Sequence, residues 1–441
     1  MLRLAAPTGD LRAPVAAALA DAGIPFEEYA AGSRALRLVA PGEEIALRVF
    51  REKDIPIQVA LGNYDLGICS GAWVQELQAR HPREGVTVLR AFPFGRQRLV
   101  LAASPRTIAR MGSPEMWPAS YLVRIVSEFP GLAETCARRM RLPRYVVWPV
   151  WGAAEAYPPE DADLALLPVT DERDVRRHGL VPVGAALETS AWLIAGRRSL
   201  ASRDLGAVLG RLQSLAPAPM TMAGAALPRS LAMAGQVPVS ESQPLVRLAL
   251  PDGHAQRHTY RALAAAGLTF PGYDEKSYVR RPESGIDGLT IKAIRPQDMP
   301  QQVAVGNYDL AITGRDWLLD HRSAFPSSPV VEAVDLGLSR YSIAAAVSED
   351  VPAATLADAL AWWRGQGVTT IRVASEYPNI ADHFARARRL DRYQVVPVNG
   401  AQRGVRAGGR RDPGGGLWRP VPASAPTGSK PSTTFSSRRT A

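Results

Sequence analysis

The sequence predicts an α/β protein built as a tandem duplication of one two-lobed unit with mainly parallel sheets. Three observations predict it. The segment Arg51–Glu76 recurs as Arg295–Asp320 with 13 of 26 residues shared, and Arg124–Ala153 recurs as Arg372–Ala401 with 16 of 30, in the same order. Within each repeat, short apolar runs alternate with helical patterns, as βαβ units require. At 441 residues the chain is also too long for one ordinary core.

Copy one is expected over residues 1–215. Leu2–Ala5 is its first strand, and Pro7-Thr8-Gly9 turns the chain into a helix. Asp54 with Pro56 reads as a helix start, the Asp capping and the Pro in the first turn. Gly62 ends that helix, and Tyr64–Ile68 enters a strand. Val86–Leu89, Leu99–Ala103, Val146–Val150, Leu164–Leu167 and Ala191–Ile194 are further strands. Ser127-Glu128-Phe129-Pro130 reads as a strand-to-helix junction with a Ser cap. Residues 216–243, rich in Ala, Pro, Ser and Met without steady periodicity, read as a linker.

Copy two is expected over 244–401, starting with the strand Val246–Leu250 and the turn Pro251-Asp252-Gly253. Asp298, Pro300, Gly306 and the junction Ser375-Glu376-Tyr377-Pro378 repeat the marks of copy one. After Ala401 the composition changes to Gly, Arg, Pro, Ser and Thr, with Leu417 the only Leu or Ile. Residues 402–441 are therefore expected to be a disordered basic tail that does not rebuild the return strands of the second lobe. A reading-frame slip explains the change. Residues 402–412, back-translated with permitted codons and read one base later, give Ser-Ala-Ala-Tyr-Val-Pro-Glu-Asp-Ala-Glu, close to Ala154–Asp163 of copy one.

Net charge is +10, but eight Lys/Arg against Asp412 alone put +7 of it on residues 399–441, leaving +3 on the body. Nucleic-acid binding is not expected on that balance. No apolar run approaches the ~20 residues that cross a bilayer, so no membrane partner is expected. The start lacks the basic and long apolar regions of a signal peptide. Cys69 and Cys136 make neither a disulfide framework nor a metal cluster. A cytoplasmic protein is expected.

Arg51 and Arg295 lie three residues before the helix-starting Asp, where they face a cleft anion or make surface salt bridges. The helix starts after Ser127 and Ser375 offer free N–H groups to phosphate. Arg138, Arg139, Arg141 and Arg144, and in copy two Arg386, Arg388, Arg389 and Arg392, follow as a phosphate-binding or merely solvated face. No catalytic triad, P-loop or dinucleotide fingerprint occurs. The residues alone imply a two-lobed α/β ligand binder.

The set Arg-x-x-Asp-Ile/Met-Pro, then Gly-x-x-Asp-Leu-x-Ile, then Phe/Tyr-Pro-x-Leu/Ile-Ala resembles the short form of ATP phosphoribosyltransferase. Copy two adds Leu248–Gly253, Ala311–Leu318 and Asp335–Arg340, which match that family's opening turn, its Gly-Ile-Thr-Gly-Lys-Asp-x-Leu and its Asp-x-Gly stretch. The resemblance implies a periplasmic-binding-protein-like (type II) scaffold. It also implies Mg²⁺-dependent transfer of phosphoribose from phosphoribosyl pyrophosphate to N1 of ATP, the first step of histidine biosynthesis. On the ATP side it implies Arg51, Arg295, Thr313, Gly314 and Asp335. On the phosphoribosyl pyrophosphate side it implies Glu155, Asp163 and Thr170. An oligomer and a regulatory subunit resembling histidyl-tRNA synthetase are implied as well.

The departures are equally specific. Leu167, Glu172, Arg173 and Asp174 replace the phosphate loop's Asp, Gly and Thr positions, and carboxylates there repel phosphate. Thr8 and Asp252 stand where the family has Lys, and Ala91 stands opposite Asp335. A catalytically degenerate binding or regulatory module on the same scaffold is the rival reading. A broken gene product whose second copy cannot close its core is another.

Overall fold

The computed structural model describes the chain except residues 33–36, 40–44, 83–84, 113–116, 214–245, 278, 339–340, 349–350, 400–414, 423–432 and 435–441. The expected linker and the stretch of the frame slip thus lie outside the described residues.

Among its described residues copy one has eleven strands: β1 (Leu2–Pro7), β2 (Arg37–Val39), β3 (Ile45–Phe50), β4 (Leu66–Ser70), β5 (Val86–Ala91), β6 (Gln97–Ala103), β7 (Val123–Ser127), β8 (Tyr145–Pro149), β9 (Leu164–Val169), β10 (Val181–Thr189) and β11 (Ala191–Gly196). The first lobe is a six-stranded sheet in the order β2-β3-β1-β4-β11-β5, and the second a five-stranded sheet in the order β10-β6-β9-β7-β8. All seven apolar runs singled out in copy one and at the start of copy two fall on strands. They read as unbroken apolar runs because helices cover both faces of these sheets. Leu4, Leu47, Ile68 and Leu193 share one core with Val15 and Leu19. Leu101, Ile125 and Leu164 share the other with Phe129 and Leu132.

The lobes are tied by a return strand. β11 comes back from the second lobe and runs antiparallel between β4 and β5, with Leu193 opposite Ile68 and Trp192 opposite Ala91. Such returns are why only eight of the fifteen strand pairings among the described residues are parallel.

Copy two has β12 (Val246–Pro251), β13 (Leu289–Ile294), β14 (Leu310–Ala311), β15 (Tyr341–Ala346), β16 (Ile371–Ser375), β17 (Tyr393–Pro397), β18 (Gly415–Pro422) and β19 (Thr433–Thr434). It repeats copy one in detail. Leu248 pairs with Ile291 as Leu4 pairs with Leu47. Tyr273 donates its hydroxyl proton to the Pro251 carbonyl at 2.7 Å, as Tyr29 does to Pro7. Arg141 and Arg389 both adopt φ of 54°.

The expected loss of the return strands is half corrected. β18 lies between β15, antiparallel, and β16, parallel, as β9 lies between β6 and β7. β19 takes the place of β10 beside β15. The tail therefore does complete the second lobe's sheet, although Pro420 and Pro422 lack an N–H to donate. The physical reason is that a ladder is made by main-chain groups. A slot with open edges on both sides accepts a backbone whose side chains do not announce a strand.

The first lobe of copy two keeps the loss. No strand among the described residues stands where β11 stands in copy one, so the sheet is β13-β12-β14 only. The stretch corresponding to β5 forms no strand, leaving Val331 76% and Val334 73% exposed. That is the exposed apolar face expected of a sheet without its partner.

The copies interlock crosswise. One core joins Val100, Val150, Tyr157 and Ala165 of copy one's second lobe to Ala249, Ile294, Met299 and Tyr308 of copy two's first lobe. Another joins Ala5, Phe50 and Ile55 of copy one's first lobe to Ala374 and Val398 of copy two's second lobe.

Candidate functional site

In open α/β sheets ligands bind beyond the carboxyl ends of the strands. Those ends in copy two's first lobe carry Asp252 after β12, Arg295 after β13, and Thr313 with Gly314 after β14. The same ends in copy one's second lobe carry Glu128 after β7, Gly152 after β8 and Thr170 after β9. The crosswise packing brings the two edges together.

Arg295 makes the join. Gly152 has φ of +148°, and a Cβ there would come within 2.9 Å of Arg295 Nε, so only glycine lets the guanidinium approach. Arg295 Nη1 donates to Asp252 Oδ1 at 3.2 Å, while its buried Nε has no hydrogen-bond partner among the described residues. Arg280 bridges both copies, donating from Nε to Glu155 Oε1 at 3.1 Å and from Nη1 to Asp252 Oδ2 at 2.5 Å. Glu155 sits in a short 3₁₀ turn entered through Ala153, which is left-handed at φ 59°. The arrangement offers two guanidinium groups whose present partners are two carboxylates. An anion with several oxygens competes for the same donors.

Four lobes meet beside this point. Lys53 Nζ lies 5.0 Å from the Trp151 ring centroid, and burial lowers its pKa. Burial raises the Glu128 carboxyl, an effect that Lys53 and Arg295 oppose. Glu376 of copy two is raised by burial as well, opposed by Arg51.

The expected helix caps are corrected. Asp54 and Asp298 occupy N-cap positions, with Pro56 and Pro300 in the first turns, yet neither side chain caps its own helix. Asp298 accepts from Trp151 N–H at 3.0 and 3.1 Å. Asp54 accepts from Asn399 N–H, 3.1 Å to each oxygen, and from Asn399 Nδ2 at 2.7 Å. Each aspartate serves the other copy's second lobe, a demand that local spacing does not show. Burial raises both carboxyls, Asp298 well above the usual range.

The phosphate-binding helix starts are corrected too. Ser127 Oγ accepts from Phe129 N–H at 2.9 Å without being the N-cap. The next free donors, Gly131 and Leu132 N–H, bond the Glu76 carboxylate at 2.9 Å each. In copy two Asp320 does the same for Asn379 and Ile380. The protein supplies its own anion there. Arg138 and Arg139 lie in the last turn of that helix, at the far end.

The remaining residues fall in different places. Thr313 Oγ1 donates to the Pro296 carbonyl at 2.7 Å, next to Arg295. Gly314 is the N-cap of the helix Arg315–Ala324. Asp335 lies on the exposed stretch and accepts from Gly337 N–H at 2.8 Å. Arg51 is exposed. Asp163 is a buried peg at the opposite end of β9, accepting from Tyr121 Oη at 2.8 Å and from Arg124 N–H and its guanidinium. Its oxygens are committed to structure.

Thr170 is exposed and leads into the helix Glu172–Arg177. Asp171 and Asp174 close that helix start as a capping box, so its N–H groups and their field meet carboxylates. Arg280, Trp151 and Lys53 were not singled out from the sequence. Arg280 lies in irregular chain without periodicity, and the others join the site only through the crosswise packing. No group of three or more His, Cys, Asp or Glu able to hold a metal occurs among the described residues. Among them, no helix is long and apolar enough to cross a membrane.

Comparison with known proteins identifies the repeats. The family described as ATP phosphoribosyltransferase matches residues 51–214 and 295–404. The ATP phosphoribosyltransferase of Saccharolobus solfataricus is 30% identical over 162 residues, covering 35% of this chain and 49% of that protein. That of Corynebacterium aurimucosum is 32% identical over 159 residues, covering 36% and 50%. The chain thus spans about half the length of these relatives. For the Metallosphaera sedula enzyme the figures are 30% over 205 residues, 46% of this chain and 68% of that protein.

Among solved structures, the ATP phosphoribosyl transferase (HisG:HisZ) complex from Thermotoga maritima aligns with TM-score 0.41 and 21% identity, over 48% of this chain and 98% of that one. A Candida albicans protein with the generic periplasmic binding protein fold aligns at 0.33 and 10% identity, over 48% and 70%. One family accounts for a segment of each copy and together for more than half of the residues, and the chain belongs to the ATP phosphoribosyltransferase family.

Proposed function

We propose that the chain transfers phosphoribose from phosphoribosyl pyrophosphate to N1 of ATP, at the junction of copy two's first lobe with copy one's second. One observation carries the reading: Arg295 and Arg280 of copy two meet Gly152 and Glu155 of copy one at the strand ends. In this reaction N1 of the adenine attacks C1 of the ribose while the bond from C1 to pyrophosphate breaks. Little covalent work falls to the protein. Its part is to hold two anions in line and to stabilise the leaving pyrophosphate.

Arg295 and Arg280 supply the cationic donors, exchanging Asp252 and Glu155 for phosphate oxygens when substrate enters. Gly152 leaves room for that exchange. No carboxylate cage occurs among the described residues, so Glu155 would be the protein's own ligand to a Mg²⁺ ion, which would supply positive charge against the leaving pyrophosphate. The family resemblance supports a cytoplasmic, oligomeric enzyme working with a regulatory subunit similar to histidyl-tRNA synthetase.

The test is release of pyrophosphate from ATP and phosphoribosyl pyrophosphate by the purified chain, alone and with the regulatory subunit. Arg295→Ala is expected to cost about 1.5–3 kcal/mol of ATP affinity by calorimetry. Unchanged binding sinks the site assignment. A second reading, a binding or regulatory module without catalysis, is favoured by the Asp171–Asp174 capping box where phosphate would sit. ATP binding without pyrophosphate release under any condition decides for it.

A further inference from the structure

Copy two carries a buried polar group that copy one does without. Asp316, in the first turn of the helix Arg315–Ala324, is 6% exposed. Its Oδ2 accepts from Tyr341 Oη and from Tyr377 Oη at 2.5 Å each. Its Oδ1 is also buried and has no hydrogen-bond partner among the described residues. An oxygen left in that state is costly. Copy one shows that the packing does not require it. Ala72, Gln97 and Phe129 stand at the equivalent positions, and Trp73 packs on Phe129 at 4.1 Å as Trp317 packs on Tyr377 at 4.6 Å.

The open oxygen borders an aromatic surface. A Cβ on Gly314 would collide with Asp316 Oδ1 and come within 3.4 Å of Trp317 Cδ1, so the two groups meet over a residue without a side chain. Trp317 extends the surface to Trp151, with ring centroids 5.6 Å apart. Both rings are half-buried. Trp151 adjoins Gly152, over which Arg295 lies, so the surface begins beside the guanidinium groups. At the other junction Asn399 stands in the place of Trp151, and the run of rings is not repeated there.

We infer that this surface is the base subsite of the nucleotide site, with Trp317 and Trp151 stacking a purine and Asp316 Oδ1 accepting from its 6-amino group. The inference rests on the proposal that a nucleotide binds at this junction. Aromatic faces hold any base, whereas a carboxylate oxygen selects a ring that offers it an N–H. A 6-oxo purine would set its carbonyl oxygen against the carboxylate and leave it unpaired. Trp317 falls on the unspecified position of Gly-Ile-Thr-Gly-Lys-Asp-x-Leu, so the stacking face is this chain's own feature and not part of the resemblance.

The experiment compares ATP, inosine triphosphate and inorganic pyrophosphate on the full chain by calorimetry. ATP is expected to bind at least about tenfold more tightly than inosine triphosphate. Asp316→Asn keeps an acceptor for the two tyrosines and turns an amide N–H toward the base, so it is expected to cancel or reverse that preference. Trp317→Leu is expected to weaken ATP about tenfold or more while pyrophosphate binding stays within about twofold. Equal affinity of the unaltered chain for the two nucleotides overturns the proposal, a comparison that needs no variant to fold. So does an Asp316→Asn chain that keeps the parent's preference. ATP bound with the expected preference, but without pyrophosphate release in the presence of phosphoribosyl pyrophosphate, sustains the subsite and removes only the transfer.

Discussion

Asp298 shows how a residue can be placed correctly by sequence and still be misread. Its spacing to Pro300 puts it at a helix start, and it is there, but the carboxylate is spent on Trp151 of the other copy. Nothing within a few residues of Asp298 encodes that partner. Burial raises its pKa above the unfolded value of about 3.9. The sign follows: a raised acid holds a proton in the fold that it lacks unfolded, so its contribution is fullest at low pH and declines as pH rises toward the folded value. Asp298→Asn keeps an acceptor for Trp151 N–H and escapes this loss. Its stability relative to the parent is expected to grow from pH 5 to pH 8, by at most about 1.4 kcal/mol per pH unit. Thermal unfolding at the two pH values checks it, and a constant difference refutes it. Lys292 is the opposite case, a cation closed in with Asp161. Lys292→Met leaves that acid buried without its charge partner and is expected to cost about 3–5 kcal/mol in urea unfolding. A loss below 1 kcal/mol, roughly that of an exposed pair, would show that the pair is solvated.

At the scale of elements, strands buried on both faces such as β1, β6 and β9 were legible, whereas β3, equally buried, was not singled out. The seven apolar runs needed no tertiary information. β18 was not legible, because its position is dictated by the open edges of β15 and β16 and its own composition argues against it. The absence of a counterpart of β11 among the described residues was legible in the change of composition after Ala401. Hydrogen exchange should separate these cases. Amides of Val86–Ala91, paired to β11, are expected to exchange at least about a hundredfold more slowly than those of residues 330–335 in copy two. Equal protection would mean that another segment covers the exposed stretch.

For the whole molecule, the repeated segments were plain in the sequence, but the crosswise arrangement was not. Identical motifs look the same whether copies sit apart or interlock. The two shared cores, one around Tyr157 with Met299 and the other around Ile55 with Val398, make the chain a covalently joined pair. Cutting at a protease site engineered within residues 216–243 is expected to leave both fragments eluting together, since the cores rather than the linker hold them. Separation of the fragments would refute this. Arg295 opposite Gly152 has a consequence for how such a protein changes over generations. In a dimer of identical chains every substitution strikes both clefts at once, so neither can lapse without the other. Joining two copies in one gene removes that constraint. The cleft made by copy two's first lobe and copy one's second can be kept while its mirror decays, and a lesion near the end of the gene becomes survivable.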